Sequence, residues 1–436
     1  MQQSEESKQT NEIATSKSDP NSKSLPENVI VGPCSFLDPI RNKEPEKVPA
    51  PKYLTLDVLN QPKGTSKKEI FEGQEITSTG ELKLIDEEAL RKQRGVVTDL
   101  VKQFASQLIK GRSAVTISLP IRIFEPRSFI ERIVDWWAFA PTFLTKAAQE
   151  KDPIERMKYV ITFAISGLHF SARQIKPFNP LLGETYQGTF EDGTEITCEH
   201  TSHHPPVTAF YLTNPLWKFY GRYELKGELS KNTLVIHQDG PNVVEFADGH
   251  KIRFHYPLTK ASGMLFGDRT VRFAGLMLVY DTKNKIKAFV RMNSDKGGGF
   301  GSMFSKTRTD RLRGRIFHFD PAVPIKKKTD IEDEFDEHEK MKDLVKELHT
   351  IEGSWLENLV IDNKEYWHVD KFKPSQHKSI ENPLPSDMRY REDLLWLKHG
   401  NEEYAQAWKL KLELQQRHER NLRNKIKEEK KKQATK

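Results

Sequence analysis

Glu199-His200-Thr201-Ser202-His203-His204-Pro205-Pro206 offers more chemistry in fewer residues than any other stretch of this chain. An imidazole titrates near neutral pH, ligates metals when neutral and donates from both nitrogens when protonated. Three readings follow. Cys198, His200, His203 and His204 are close enough in sequence to suggest a metal site and, through it, a metal-dependent hydrolase. Against that, neighbouring strand residues face opposite ways, and no pair has the i, i+4 spacing by which metallohydrolase helices present two histidines. Histidines satisfied inside a fold are the ordinary outcome. The third reading is anion capture, because a bound phosphate favours the doubly donating imidazolium. Two prolines remove two ladder donors and confine this point to a sheet edge or a strand end.

A second candidate lies far downstream. Lys409, Glu413 and Arg417 are four residues apart. On a helix each step of four drifts by only about 40°, so the three share a face. Two cations there can neutralise a phosphate while Glu413 orients them or accepts hydroxyls. On a bare surface the same pattern is an ion-pair ladder worth about 0.2–0.5 kcal/mol per pair. No Ser/His/Asp order or cysteine-nucleophile setting accompanies these residues, so a binding protein is expected rather than an enzyme. The run Gly297-Gly298-Gly299-Phe300-Gly301 is not a phosphate loop, since no Lys-Ser/Thr closes it.

The elements that must position these residues show in the hydrophobic period. Leu90, Val97, Leu100, Val101, Phe104 and Leu108 recur at helical spacing, with Gly111 as a stop. Ile130, Ile133, Val134, Trp136, Trp137 and Phe139 predict a helix over residues 129–144 that ends near Pro141. Asp152-Pro153 then caps a helix running to about Gly167. After Gly183 the period becomes two. Trp217, Phe219, Tyr223 and Leu225 alternate with polar residues, as do Ile252, Phe254 and Tyr256, while Asp192-Gly193 and Asp248-Gly249 read as hairpin turns. Further strands are expected at residues 271–280, 285–292, 314–320 and, as the last, 347–352. Many strands on short turns predict an α+β fold, mainly antiparallel β, curled toward a barrel. From Glu402 one long helix follows, with Tyr404, Trp408 and Leu412 as its docking stripe. Past His418 it turns basic, with eight Lys and Arg against three Glu, either solvated or facing anionic headgroups.

Composition limits the function further. No run of the 436 residues approaches the roughly 18 apolar residues of a spanning helix, and the polar amino terminus lacks a signal-peptide core. The net charge of +7, from 69 Lys and Arg against 62 Asp and Glu, suits transient anionic membrane surfaces. No zinc-finger spacing or RNA-binding aromatic signature points to nucleic acid. Cys34 and Cys198 make no disulfide framework, which suggests a reducing, cytosolic setting. Residues 1–85 are too polar to offset their ordering entropy and read as mostly disordered. Lys326-Lys327-Lys328 and the acidic residues 330–339 read as a solvated loop.

Beside these readings stands a resemblance. The histidine octapeptide resembles the E-x-x-S-H-H-P-P fingerprint of oxysterol-binding-protein-related lipid-binding domains, with His200 where Gln is usual. Lys176-Pro177-Phe178-Asn179-Pro180-Leu181-Leu182-Gly183-Glu184 is similar to the family's K-P-x-N-P-x-L-G-E segment. Lys409, Glu413 and Arg417 match its K-x-x-x-E-x-x-x-R helix, and Pro383-Leu384-Pro385-Ser386-Asp387-Met388-Arg389 resembles the segment before it. The resemblance covers residues 118–417.

It implies a large β-barrel enclosing a lipid tunnel, with a helical lid and a carboxy-terminal helix, and neither a PH domain nor ankyrin repeats. The expected layout is lid and helices in 86–170, barrel in 171–360, and carboxy-terminal subdomain with basic tail in 361–436. By resemblance, Lys176, Asn179, His203, His204, Lys409, Glu413 and Arg417 ring the mouth and bind the head of phosphatidylinositol 4-phosphate. Val97, Val101, Phe104, Leu108, Leu119 and Ile121 belong to the lid. The same cavity then accepts a second lipid in exchange, without cofactor or metal, on the cytosolic surface of intracellular membranes or at their contact sites. Residues 125–129 after Leu119-Pro120 resemble the phosphatidylserine-carrying branch, whereas residues 176–184 read more like the sterol-carrying one. A lipid sensor or scaffold without net transport shares every motif. An endoplasmic-reticulum receptor is suggested only by Glu69-Ile70-Phe71-Glu72-Gly73-Gln74-Glu75, which loosely resembles a two-phenylalanine docking motif. Ile70 there replaces the expected aromatic and Lys67-Lys68 precede in place of acid, so the stretch reads as linker. The connection from Trp355 to Pro383 is shorter than the family's usual one.

Overall fold

The computed structural model describes residues 71–93, 96, 118–293, 308–323 and 341–434. Among them the chain winds a sheet of seventeen strands, with a separate parallel pair. In chain order the strands are β1 (Gln74–Ile76), β2 (Leu82–Leu84), β3 (Phe124–Ser128), β4 (Lys176–Phe178), β5 (Thr185–Phe190), β6 (Glu195–His203), β7 (Pro206–Thr213) and β8 (Trp217–Ser230). There follow β9 (Thr233–Asp239), β10 (Asn242–Phe246), β11 (Lys251–Phe254), β12 (Leu258–Ser262), β13 (Thr270–Asp281) and β14 (Ile286–Met292). The last are β15 (Arg311–Phe319), β16 (Leu344–Ser354), β17 (Asn358–Ile361), β18 (Lys364–His368) and β19 (His377–Ser379). Four helices matter most: α1 (Ala140–Gln149), α2 (Pro153–Ser166), α3 (Glu392–Lys398) and α4 (Glu402–Ala434).

The sheet is antiparallel throughout. From β5 to β8 it is a plain meander, but the fourteen residues of β8 then serve two neighbours. Its first half pairs with β10 and its second half with β9. The branches rejoin on β13, β12 along its start and β11 near its end. Strands β14 to β18 continue in order, and β19 pairs back onto β5. The curl closes around apolar side chains. On β6, Ile196, Cys198 and His200 are buried while Glu195, Thr197 and Glu199 are exposed, the alternation of a sheet with one dry face. Helix α2 fills the curl. Its Phe163 meets Phe219 and Phe254 edge-on at 5.1 and 6.2 Å, while Glu155 and Tyr159 reach Tyr366 on β18.

Local sequence explains much of this. Gly193 and Gly249 adopt φ of 84° and 76° in the two Asp-Gly hairpins, which an L side chain rarely tolerates. Asp152 caps α2 by accepting from the Ile154 N–H, with Pro153 in the first turn.

Four expectations need correction. Residues 71–84 belong to the fold: β2 pairs with β1 and β13, and Phe71 is buried against His169. Two three-residue strands give too short a period to stand out, and Phe71 fills the core rather than a linker. Residues 129–144 are not one helix. They break into a helical turn, a 3-10 segment (Ile133–Trp137) and α1, whose first turn Pro141 opens because that position needs no N–H. Three strands follow β16, the first two joined at Asp362-Asn363, both at positive φ. Tyr404 is exposed, edge-on to Trp396, and Ala405, Trp408 and Leu412 bury the docking stripe instead. Val97, Val101, Phe104 and Leu108, with residues 297–301 and 326–339, lie outside the described residues.

Candidate functional site

The hairpin β6–β7 turns at His204-Pro205, a cis peptide, with His203 opposite Pro206 in the register. The prolines thus sit where a ladder ends, and both imidazoles stand at the sheet's rim. Parallel pairing sets Phe124 opposite Lys176 and Ser128 opposite Phe178. This brings the start of the helical region beside the segment 176–184. Arg391, at the head of α3, locks that segment. It donates to the Asn179 carbonyl at 2.9 Å and to Glu184 at 2.8 Å, and holds Asp393 bidentately at 3.0 and 2.7 Å. Glu184 in turn accepts from the Leu181 N–H and the Ser128 hydroxyl. These carboxylates keep the guanidinium charged although burial opposes it. Asp387 accepts from the Gln187 N–H, and burial pushes its carboxyl up to about 7.

All seven expected site residues converge. A cavity of about 910 Å³ is lined by Asn179, His203, His204, Lys409, Glu413 and Arg417. A second, of about 360 Å³, shares Asn179, Pro180, His203 and His204 with it and adds Lys176. Phe129, Tyr223 and Leu225 line this second space, making it the more apolar. Lys409 Nζ donates to Glu413 at 2.5 Å and to Ser118 Oγ at 2.7 Å, and Arg417 reaches Glu413 at 3.4 Å. Lys176 Nζ donates to Asn179 Oδ1 at 2.7 Å. The ammonium groups of Lys176 and Lys409 lie 4.9 and 5.3 Å from the Phe124 ring centre, so one aromatic ring serves both cations.

Electrostatically the site is a basic pocket short of anions. Burial, then the neighbouring Lys409 charge, pulls Lys176 down to about 8, with Glu413 opposing. Burial and the next imidazole pull His200 and His203 down to about 4 each; Arg420 adds to the effect on His203. At neutral pH the two imidazoles are therefore uncharged, linked by a 3.2 Å contact from His200 Nε2 to His203 Nδ1. A bound polyanion opposes each of these shifts by supplying counter-charge.

Of the lid residues within the described region, Leu119 lines the larger cavity and Ile121 is buried, its N–H donating 2.7 Å to Gln406 on α4. Ser202, Gln416, Arg420, Arg423 and Lys427 also line the larger cavity, although none was among the seven expected headgroup residues. The last three continue the Lys409 face at helical spacing, a signal already present in the sequence. Phe124 had none. Nor do Cys198, His200, His203 and His204 form a cluster able to hold a metal. Among the described residues the tight ligand-type group is Glu131, Asp135 and His377, whose carboxylates are bound by Arg127 at 2.5 and 2.7 Å. The Cys198 thiol is buried, which raises its pKa.

The family model described as "Oxysterol-binding protein" matches residues 103–435. "Oxysterol-binding protein 9" of Dictyostelium discoideum is 37% identical over 363 residues, 81% of this chain and 82% of that protein. Human "Oxysterol-binding protein-related protein 5" is 31% identical over 191 residues, 42% of this chain and 22% of the relative. Among solved structures, the Osh3 ORD of Saccharomyces cerevisiae in complex with PI(4)P matches at a TM-score of 0.56 and 26% identity, covering 73% of this chain and 84% of that one. The Osh1 ORD domain in complex with ergosterol matches at 0.54 and 19% identity, over 72% and 77%, a likeness of fold.

Proposed function

The chain belongs to the oxysterol-binding protein family, and from that premise we propose that it carries one lipid at a time, exchanging phosphatidylinositol 4-phosphate for a second lipid. The observation that carries this reading is the convergence of Lys176, His203, His204, Lys409 and Arg417 on adjoining cavities, the smaller one lined by Phe129, Tyr223 and Leu225. In it, a phosphorylated inositol sits among the cations at the mouth, Glu413 and Asn179 accept its hydroxyls, and the acyl chains enter the apolar space below. The second lipid, a sterol or phosphatidylserine, lacks that headgroup and competes for the apolar space alone. Exchange follows because the two ligands exclude each other. Family and fold are those of lipid-binding and transfer proteins. No helix among the described residues is long and apolar enough to cross a membrane, so the reading makes its membrane work peripheral.

The test is transfer of labelled phosphatidylinositol 4-phosphate between donor and acceptor liposomes. Replacing His203 and His204 together with Ala is expected to abolish transfer while leaving the fold intact, since both stand at a hairpin tip. Unchanged transfer rates would overturn the headgroup assignment.

A further inference from the structure

Regular strand geometry would turn His200 and His203 to opposite faces of β6, because side chains alternate and these two are three positions apart. They meet because the ladder slips between them. His200 pairs with Thr208 and Ser202 with Val207, so two residues of β6 fit against one of β7. Such a bulge resets the alternation, and His203 returns to the face of His200. The two rings lie edge-on at 5.5 Å, with His200 Nε2 3.2 Å from His203 Nδ1. Behind them His200 Nδ1 is 3.2 Å from the Thr208 hydroxyl, and both His200 and Thr208 are buried.

The line from Thr208 through His200 to His203 ends at the site. All three residues line the smaller cavity, and His203 lines the larger one as well. With Nδ1 taken by His200, Nε2 is the His203 nitrogen that has no hydrogen-bond partner among the described residues. Burial, the adjacent imidazoles and the cations Arg391 and Arg420 hold the two rings to one proton each at neutral pH, with Glu413 opposing at His203. Each contact then has one donor and one acceptor, and the line can run in two directions. In the first, His203 donates from Nδ1 to His200 and turns the bare lone pair of Nε2 toward the site, where it repels a phosphate. In the second, the Thr208 hydroxyl donates to His200 Nδ1, His200 Nε2–H donates to His203 Nδ1, and His203 Nε2–H is free to donate into the site. A hydroxyl serves either direction, because it both donates and accepts. A phosphate dianion can only accept, so it selects the second direction and needs no charge on either ring.

We propose that His200 and Thr208 are positioning residues, supporting the tautomer in which an uncharged His203 donates its Nε2–H to the headgroup phosphate. The inference rests on the headgroup reading and deepens it by two residues that act from behind His203. The experiment uses the full chain, isotopically labelled at its histidine nitrogens, with a soluble short-chain phosphatidylinositol 4-phosphate at neutral pH. Protonated and bare ring nitrogens resonate far apart. The His203 signals are assigned in the ligand-free protein by their loss in His203→Asn and followed through the titration. In the wild-type complex a bare Nδ1 and a protonated Nε2 are expected. Calorimetry is run alongside on His200→Met, which fills the space without a donor, and on His200→Gln, whose amide donates at a similar reach. Met is expected to weaken affinity by about fivefold, the scale of one neutral hydrogen bond, and Gln to restore it to within about twofold. A His203 in the complex that is protonated on both nitrogens, or on Nδ1 alone, overturns the proposal, as does a Met variant with wild-type affinity. Equal losses in the Met and Gln variants assign His200 to packing and overturn it as well. If the Met variant fails to fold, the nitrogen signals of the wild-type complex and the affinity of the Gln variant decide. A wild type that binds no short-chain lipid removes the headgroup reading and this inference with it, whereas lipid bound beside a doubly protonated His203 removes this inference alone.

Discussion

Lys176 offers a quantitative probe of the headgroup site. Its ammonium donates to Asn179, lies over Phe124 and faces the Lys409 charge, and burial with that charge lowers it from 10.5 to about 8. A phosphate at the mouth supplies the missing counter-charge and restores the ordinary value. The free protein then loses a proton near pH 8 that the complex keeps until about 10.5, so affinity falls as pH rises through that window. From pH 7.5 to 9.5 the linkage amounts to about twentyfold in Kd, or about 1.8 kcal/mol. The ligand contributes nothing to this slope, because a phosphate monoester with a second pKa of about 6 stays dianionic throughout. Titration calorimetry with a soluble short-chain phosphatidylinositol 4-phosphate, at fixed ionic strength, measures it. Lys176→Met is expected to bind more weakly at pH 7.5 and to flatten the profile. A wild-type affinity that does not change over this range, or a Met variant with the same slope, refutes the reasoning.

Two further predictions concern the frame around the site. Arg391→Ala leaves Glu184 and Asp393 buried without their cation, a loss of about 3–5 kcal/mol in urea unfolding; a loss under about 1 kcal/mol contradicts its role in locking residues 179–184. His169 lies among Phe71, Phe139, Phe170 and Trp367, and burial pulls its imidazole down to about 3. Its folded pKa is below the unfolded value of about 6.5, so stability is lost as pH falls through that range, by about 2 kcal/mol between pH 7 and 5. Stability measured against pH in His169→Leu should lack that part of the acid slope; an identical slope means other groups carry it.

How far the sequence reaches depends on the range of the interaction concerned. Local rules sufficed for the Asp-Gly hairpins, the Asp152 cap, the alternation along β8 and the common face of Lys409, Glu413 and Arg417, because each is settled within a few neighbouring residues. They failed where the decisive partner is distant in sequence. Residues 71–84 become strands only because β13 offers its edge, and Phe71 is core only because His169 lies beneath it. Residues 129–144 break under packing that their period does not encode. The histidine hairpin and the basic helix are more than 200 residues apart, and no local preference brings them together. Their meeting at one cavity is decided by Trp408 and Leu412 burying α4's stripe and by Arg391 holding Asn179 and Glu184 in place. The lowered pKa values are likewise tertiary, since burial and a neighbour's charge exist only after the chain has closed. The residue types were legible one by one, while the field they share is a property of the fold.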